Sequence, residues 1–272
     1  MSHPAQDRHD DLELLLTAVR EAGAIALGYF RGPVDSWDKS PGDPVSEADH
    51  AVDDFLRERL TTARPDYGWL SEETRDDRKR LDSRRVFVVD PIDGTRAFLR
   101  REPEFTIAAA LVEDGRPVAA AVYNPATEEM FEATLGGGAR RNDEPIAVSA
   151  QGSFSGARLL SGKRMFERAG WKEPPADAEF RSINSIAYRM ALVASGRYDA
   201  CVSLAEKSDW DIAAADLIVG EAGGRVTTAR GKALCYNARQ PRHPSVLVAG
   251  PALHGVLIDF LKTVQRPPGA GW

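Results

Sequence analysis

The residues best equipped for chemistry are Asp90 and Asp93, in the run Val88-Val89-Asp90-Pro91-Ile92-Asp93-Gly94-Thr95. Carboxylates are the ligands that hard divalent cations prefer. Pro91 fixes its own φ and biases Asp90 toward extended backbone. Two acids three residues apart can therefore converge on one side of a rigid turn. Gly94 permits close backbone approach, and the amides of a following helix start favour an anion. A metal-holding pair beside a phosphate-holding turn points to phosphate ester chemistry. The plain alternative is an Asp-Pro turn and a helix cap, since Asp and Thr are ordinary capping residues.

Three further groups join this pair. Glu72-Glu73 follows a short predicted strand and would complete a cation's oxygen shell or orient a water, although paired glutamates are usually solvated. Asp209-Trp210-Asp211 opens a predicted helix, where an acid also serves the helix dipole. In Asp43-Pro44-Val45-Ser46-Glu47-Ala48-Asp49, Asp49 falls in the first turn of a helix capped by Ser46, an unremarkable place for an acid. Lys39, in the preceding loop, reads as solvated.

Hydrophobic spacing supplies the elements that must position these groups. Leu12, Leu15, Leu16, Val19, Ala22, Ala26 and Tyr29 predict an amphipathic helix over Asp11–Phe30, and Gly32-Pro33 stops it. Residues 35–44 read as a loop. Val52, Phe55, Leu56 and Leu60 carry a second helix. Strands are expected at Tyr67–Leu70, Val86–Val89, Phe105–Val112, Pro117–Tyr123 and Glu128–Thr134, and the charged run Arg75–Arg85 as a mobile loop. After residue 148 strands and helices alternate: Arg158–Ser161, Ser185–Ser195, Asp199–Ser203, Ile212–Glu221, Ser245–Ala249 and Leu253–Val264. The expectation is an α+β half over 1–148 with most of the acids, an α/β half over 149–265 supplying Asp211, and a frayed tail over 266–272.

Composition narrows the function classes. The chain has 272 residues, 43% hydrophobic and 28% charged, with a net charge of -6. That balance suits a globular protein and argues against a nucleic acid polymer as partner. No segment is apolar enough for a membrane span or signal peptide. The two cysteines, Cys201 and Cys235, lack metal-ligand spacing and suggest free, buried thiols in a reducing cytoplasm. A homodimer is compatible with the sequence, which carries no interface signature.

Glu72-Glu73, Asp90-Pro91-Ile92-Asp93-Gly94-Thr95, Trp210-Asp211 and Glu221-Ala222-Gly223-Gly224, in this order and spacing, resemble the inositol monophosphatase superfamily. Asp43 to Asp49 is similar to its upstream Asp-x-Val-Thr-x-x-Asp motif, with Ser46 in place of threonine. The resemblance implies a layered αβαβα sandwich and a Mg2+-dependent, lithium-sensitive phosphomonoesterase acting on a small phosphorylated substrate. It implies two to three Mg2+ per site: one on Glu72, Asp90 and the Ile92 carbonyl, a second on Asp90, Asp93 and Asp211, and a weaker third near Glu72 and Asp49. Gly94 and Thr95 would bind the phosphate, with Asp93 and Asp211 also facing the substrate. Thr95, with Asp49 or Glu72, would help to orient a metal-activated water for in-line attack.

Within the superfamily, three features are similar to the bacterial nucleotidases that release the 3′-phosphate of adenosine 3′,5′-bisphosphate. They are Glu104-Phe105-Thr106, Ser208-Asp209-Trp210-Asp211, and Arg189, which aligns with a nucleotidase lysine and would pair with a second phosphate. The acid that inositol phosphatases use on the sugar ring has no clean counterpart; Glu206 is near but shifted. Inositol 1-phosphate and histidinol phosphate are the alternative substrates. A different class, a metal-binding regulator that has lost turnover, is opposed by the retained acids, which such a protein has no evident reason to keep.

Overall fold

The structure is a computed structural model, and it describes residues 4–162, 165 and 177–263. The tail expected to fray, and Val264 at the end of the last predicted helix, lie outside the described residues. Strands β3 (Gly68–Ser71), β4 (Arg85–Asp93), β5 (Thr106–Glu113), β6 (Arg116–Asn124), β7 (Glu129–Thr134), β8 (Gly138–Arg141) and β9 (Glu144–Pro145) form one seven-stranded sheet in sequence order. Only the β3–β4 pair is parallel. The period-two alternation of strands sorts the side chains. Phe87, Val89, Ile107 and Ala109 face helices α1 (Pro4–Arg31) and α2 (Glu47–Ala63), whereas Val86, Val88, Ala108 and Ala110 face the interior layer.

That interior layer is two helices, α4 (Ile186–Ala194) and α5 (Asp209–Glu221), which follow the short α3 (Thr95–Leu99) in chain order. Both are apolar on nearly every side, as a helix covered from two directions must be. Their second cover is a five-stranded sheet, β11-β10-β12-β14-β13, built from Glu179–Arg181, Arg158–Leu160, Ala200–Ser203, Val246–Ala249 and Arg225–Thr227. Its far face packs Leu159, Ala200, Val202 and Leu247 on Leu253, Leu257 and Leu261 of α6 (Pro251–Thr263). The layers run α, β, α, β, α, as the resemblance implied.

Several local expectations change. Helix α1 starts at Pro4 because the polar lead-in still favours helix and Asp7 suits its first turn; the apolar stripe marks only the packed part. Residues 35–44 are largely a hairpin, β1 (Ser36–Ser40) on β2 (Asp43–Ser46), whose β1 strand is wholly exposed and so carries no burial pattern to read. The Gly136–Pro145 stretch adds β8 and β9. The charged run 75–85 is not free: it holds a 3-10 turn at Lys79–Asp82 whose Arg80 is 1% exposed. Cys201 is buried, but Cys235 is exposed.

Candidate active site

Strand β4 does not end at Asp90; it runs on to Asp93 through a bulge. Asp90 sits opposite Ala108 and Asp93 opposite Thr106, so three steps on β4 match two on β5. In an unbroken strand residues three apart point to opposite faces. The extra residue turns both acids to the interior face, and Pro91, which has no N–H to give the ladder, sits in the bulge where that lack is tolerated. Because β3 is parallel to β4, with Ser71 opposite Val89, Glu72 emerges beside Asp90, and its amide donates to the Val89 carbonyl at 3.3 Å. From the other half, Asp211 comes in on the first turn of α5. One carboxylate oxygen each from Glu72, Asp90 and Asp211 lies within 4.8 Å of the others.

Each aspartate also has a local hydrogen-bonding task. Asp90 Oδ1 accepts from the Ile92 amide at 3.1 Å. Asp211 Oδ2 accepts from the Ser208 amide at 2.7 Å, half of a capping box. Asp49 Oδ2 accepts from the Ser46 amide and hydroxyl at 2.9 and 2.6 Å, a second capping box, while Oδ1 lies 3.0 Å from the Thr95 hydroxyl. Thr95 Oγ1 is also 3.1 Å from the Ile92 carbonyl. Asp93 is outside the close triple: its Oδ2 accepts from Ser185 Oγ and the Ala187 amide, both at 2.6 Å, at the start of α4. The plain capping reading holds and leaves room for the site reading, because a carboxylate has two oxygens.

A cleft of about 230 Å3 is lined by Glu72, Asp90, Ile92, Asp93, Gly94, Thr95 and Asp211, together with Asn184, Arg96 and Lys207. Burial pushes the Glu72 carboxyl up to about 7, opposed by Lys39 and reinforced by Glu73 and Asp211. Burial and the charge of Asp93 raise Asp211 to about 6. Asp90 is held well above the carboxylate range by burial and by its acidic neighbours, and burial raises Asp93 and Asp49. Like-charged oxygens this close fit a hard divalent cation: they are the donor set Mg2+ takes, and the ion would remove their repulsion.

Lys39 is exposed yet not free of partners. The β1–β2 hairpin brings its Nζ 2.7 Å from Glu72 and 2.8 Å from Glu73. Sequence reading also passed over Asp53, one turn after Asp49, which accepts hydrogen bonds from the Ser71 and Thr74 hydroxyls and so pins the Glu72-Glu73 turn. Lys207, four residues before Asp211, was missed too; its charge opposes the rise of Asp211. Arg189 does not line the cleft. Its Nε donates to the Ser185 carbonyl at 3.3 Å, and its charge opposes the rise of Asp93 and Asp211. Glu206 pairs with Arg242 at 2.6 Å.

The profile of the inositol monophosphatase family matches residues 7–265. An Inositol-1-monophosphatase of Rhizobium meliloti is 36% identical over 231 residues, 81% of this chain and 86% of that protein. A Nus factor SuhB of Xylella fastidiosa is 34% identical over 230 residues, covering 81% and 82%. A Histidinol-phosphatase of Chlorobaculum parvum is 32% identical over 232 residues, covering 82% and 87%. The crystal structure of the extragenic suppressor protein suhB of Bartonella henselae superposes with a TM-score of 0.81 at 29% identity, over 93% of this chain and 99% of that one. Among the described residues no helix is long and apolar enough to cross a membrane. With the fold, the acids and the profile in agreement, the chain belongs to the inositol monophosphatase family, whose members are metal-dependent phosphoric monoester hydrolases.

Proposed function

We propose that this chain hydrolyses a small phosphate monoester with Mg2+, and that the convergence of Glu72 and Asp90 from neighbouring strands of one sheet with Asp211 from a helix carries this reading. Glu72, Asp90 and the Ile92 carbonyl would hold one ion; Asp90, Asp93 and Asp211 would hold a second; a third would sit near Glu72 and Asp49. Bound Mg2+ supplies charge stabilisation at the phosphoryl oxygens and a lowered pKa for the attacking water. The chain does the rest. Asp49 takes the Thr95 proton in a hydrogen bond, which leaves the Thr95 lone pairs to accept from the water and aim it. Gly94 and Thr95 face the phosphate, and Lys207 and Arg96 add positive charge to the cleft.

Monophosphates of polyols or amino alcohols are the favoured substrates, supported by the relatives named for inositol 1-phosphate and histidinol phosphate chemistry. The second reading, release of the 3′-phosphate of adenosine 3′,5′-bisphosphate, is favoured by the density of arginines around the site. A side-by-side assay of phosphate release from inositol 1-phosphate, histidinol phosphate and adenosine 3′,5′-bisphosphate tests both. Mg2+-dependent release, inhibited by Li+ at submaximal Mg2+, is expected; release from none of the three refutes the phosphatase reading.

Thermal stability gives a check that needs no substrate. Glu72 and Asp211 have folded-state pKa values of about 7 and about 6 against ordinary values of 4.5 and 3.8. In chelator their contribution to stability is fully present below about pH 4 and is lost as pH rises through about 7, because the unfolded chain gives up these protons first. Mg2+ competes with the same protons. The rise in Tm on adding Mg2+ to chelated protein is therefore expected to grow from about pH 5 to about pH 7.5. A Tm rise that is absent, or equal across that window, counts against ion binding by these acids.

A further inference from the structure

A second cleft, of about 620 Å3, shares Glu72 as a lining residue with the candidate active site. Its size is that of a ligand pocket. One lip carries Arg75 and Arg78, the other Arg239 and Arg242, and the wall includes Trp210, the neighbour of Asp211. The two lips are tied together. The Arg80 guanidinium, 0% exposed, bonds Asp76 on its own lip and reaches across to Asn237 Oδ1 at 2.6 Å and the Ala238 carbonyl at 3.1 Å. The Asn237 amide in turn donates to Asp209 Oδ2 at 2.7 Å, on the same helical turn as Asp211. The cleft is thus held rigid and in register with the reacting site.

Its charges do not cancel. Asp76 is engaged by Arg80, and Glu72 by Lys39, while Glu206 engages Arg242. Among the described residues Arg75, Arg78 and Arg239 make no ion pair. Three guanidiniums without an ion-pair partner around one cleft, in a chain of net charge -6, create a local positive field. The planar fork of each matches phosphate oxygens two at a time. Trp210 offers an apolar surface for the scaffold between two charged groups.

We propose that this cleft is an anion subsite that takes the second, non-reacting phosphate of a bis-phosphorylated substrate whose first phosphate lies at Glu72, Asp90 and Asp211. This deepens the second, bisphosphate reading of that site, on which it rests. The double variant Arg75→Ala/Arg239→Ala removes two exposed side chains and leaves the Arg80 clamp and all candidate metal ligands in place. Its kcat/KM for adenosine 3′,5′-bisphosphate is expected to fall about tenfold or more, with inositol 1-phosphate unchanged within about twofold. Equal losses on both esters, or no loss on either, overturn the proposal. Calorimetric titration of adenosine 3′,5′-bisphosphate into protein held in EDTA supplies a readout without turnover: the double variant is expected to bind about tenfold more weakly than the wild type. Undiminished binding overturns the subsite. Weaker binding with undiminished turnover of the bisphosphate makes the cleft a site for a separate anion, which overturns the substrate assignment. Wild-type protein that releases phosphate from neither ester counts against the phosphatase reading, and the calorimetry then still decides the cleft.

Discussion

Asp90→Asn is expected to remove Mg2+-dependent phosphate release on the order of a thousandfold, while raising the Tm of the metal-free protein. The two effects share one cause. Asp90 is 1% exposed, and burial and its neighbours Glu72, Asp93 and Asp211 all disfavour its charge. An asparagine keeps the oxygen that accepts from the Ile92 amide at 3.1 Å, so the turn survives. It removes the negative charge on which two of the proposed ions depend. Relieving a strained functional charge of this kind commonly stabilises a fold by about 1 kcal/mol. Phosphate release assays and thermal melts in EDTA check the pair. Near-normal turnover with saturating Mg2+ would falsify the role of Asp90 as a ligand, and a lowered Tm in chelator would show that the acids do not repel one another in the folded state.

Gly94→Ala is expected to cost much stability for a single added methyl group. Gly94 has φ of +101°, outside the comfortable range of any residue with a Cβ. A Cβ there would lie 2.9 Å from the Glu104 carbonyl oxygen and 3.2 Å from Ser185 Cβ. Ser185 holds Asp93, so a displaced Ser185 also disturbs the site. Backbone strain plus the clash should cost about 2–4 kcal/mol, a drop in Tm of roughly 5–12 °C for a chain of this length, with turnover reduced alongside. Gly28→Ala is the control. Gly28 is helical, a Cβ there meets nothing within 4 Å, and about 1 kcal/mol of stabilisation is expected from helix propensity. Equal melting shifts for the two variants would remove the argument from the Gly94 turn.

The buried strands and helices were readable from their periodicity, since Val86–Val89 and the Leu12–Tyr29 stripe are patterned by the core they enter. The acids were readable because their types and order are unusual. What could not be read was set by contacts between distant segments. Lys39 looks solvated until β3 places Glu72 and Glu73 beside it. Arg80 sits in a run of charges and gives no local sign of being buried; only Asn237 and Ala238, about 157 residues later, explain it. Arg189 was expected to face the substrate, but a helical wheel does not say whether a side chain points into a cleft or lies behind it. The bulge at Pro91-Ile92 was also invisible, although Pro91 in a β-branched run was its trace.

The double use of the acids bears on how such motifs age. Asp49 and Asp211 cap two helices, Asp90 closes a turn, and Asp93 seats a third helix. Folding alone therefore has a use for Asp49, Asp93 and Asp211, while an asparagine would close the turn at Asp90 as well. A descendant recruited to another duty and idle as a catalyst would go on displaying most of the signature. The letters that the fold itself does not ask for are the charge of Asp90 and the side chain of Glu72, whose only partner among the described residues is the hairpin lysine.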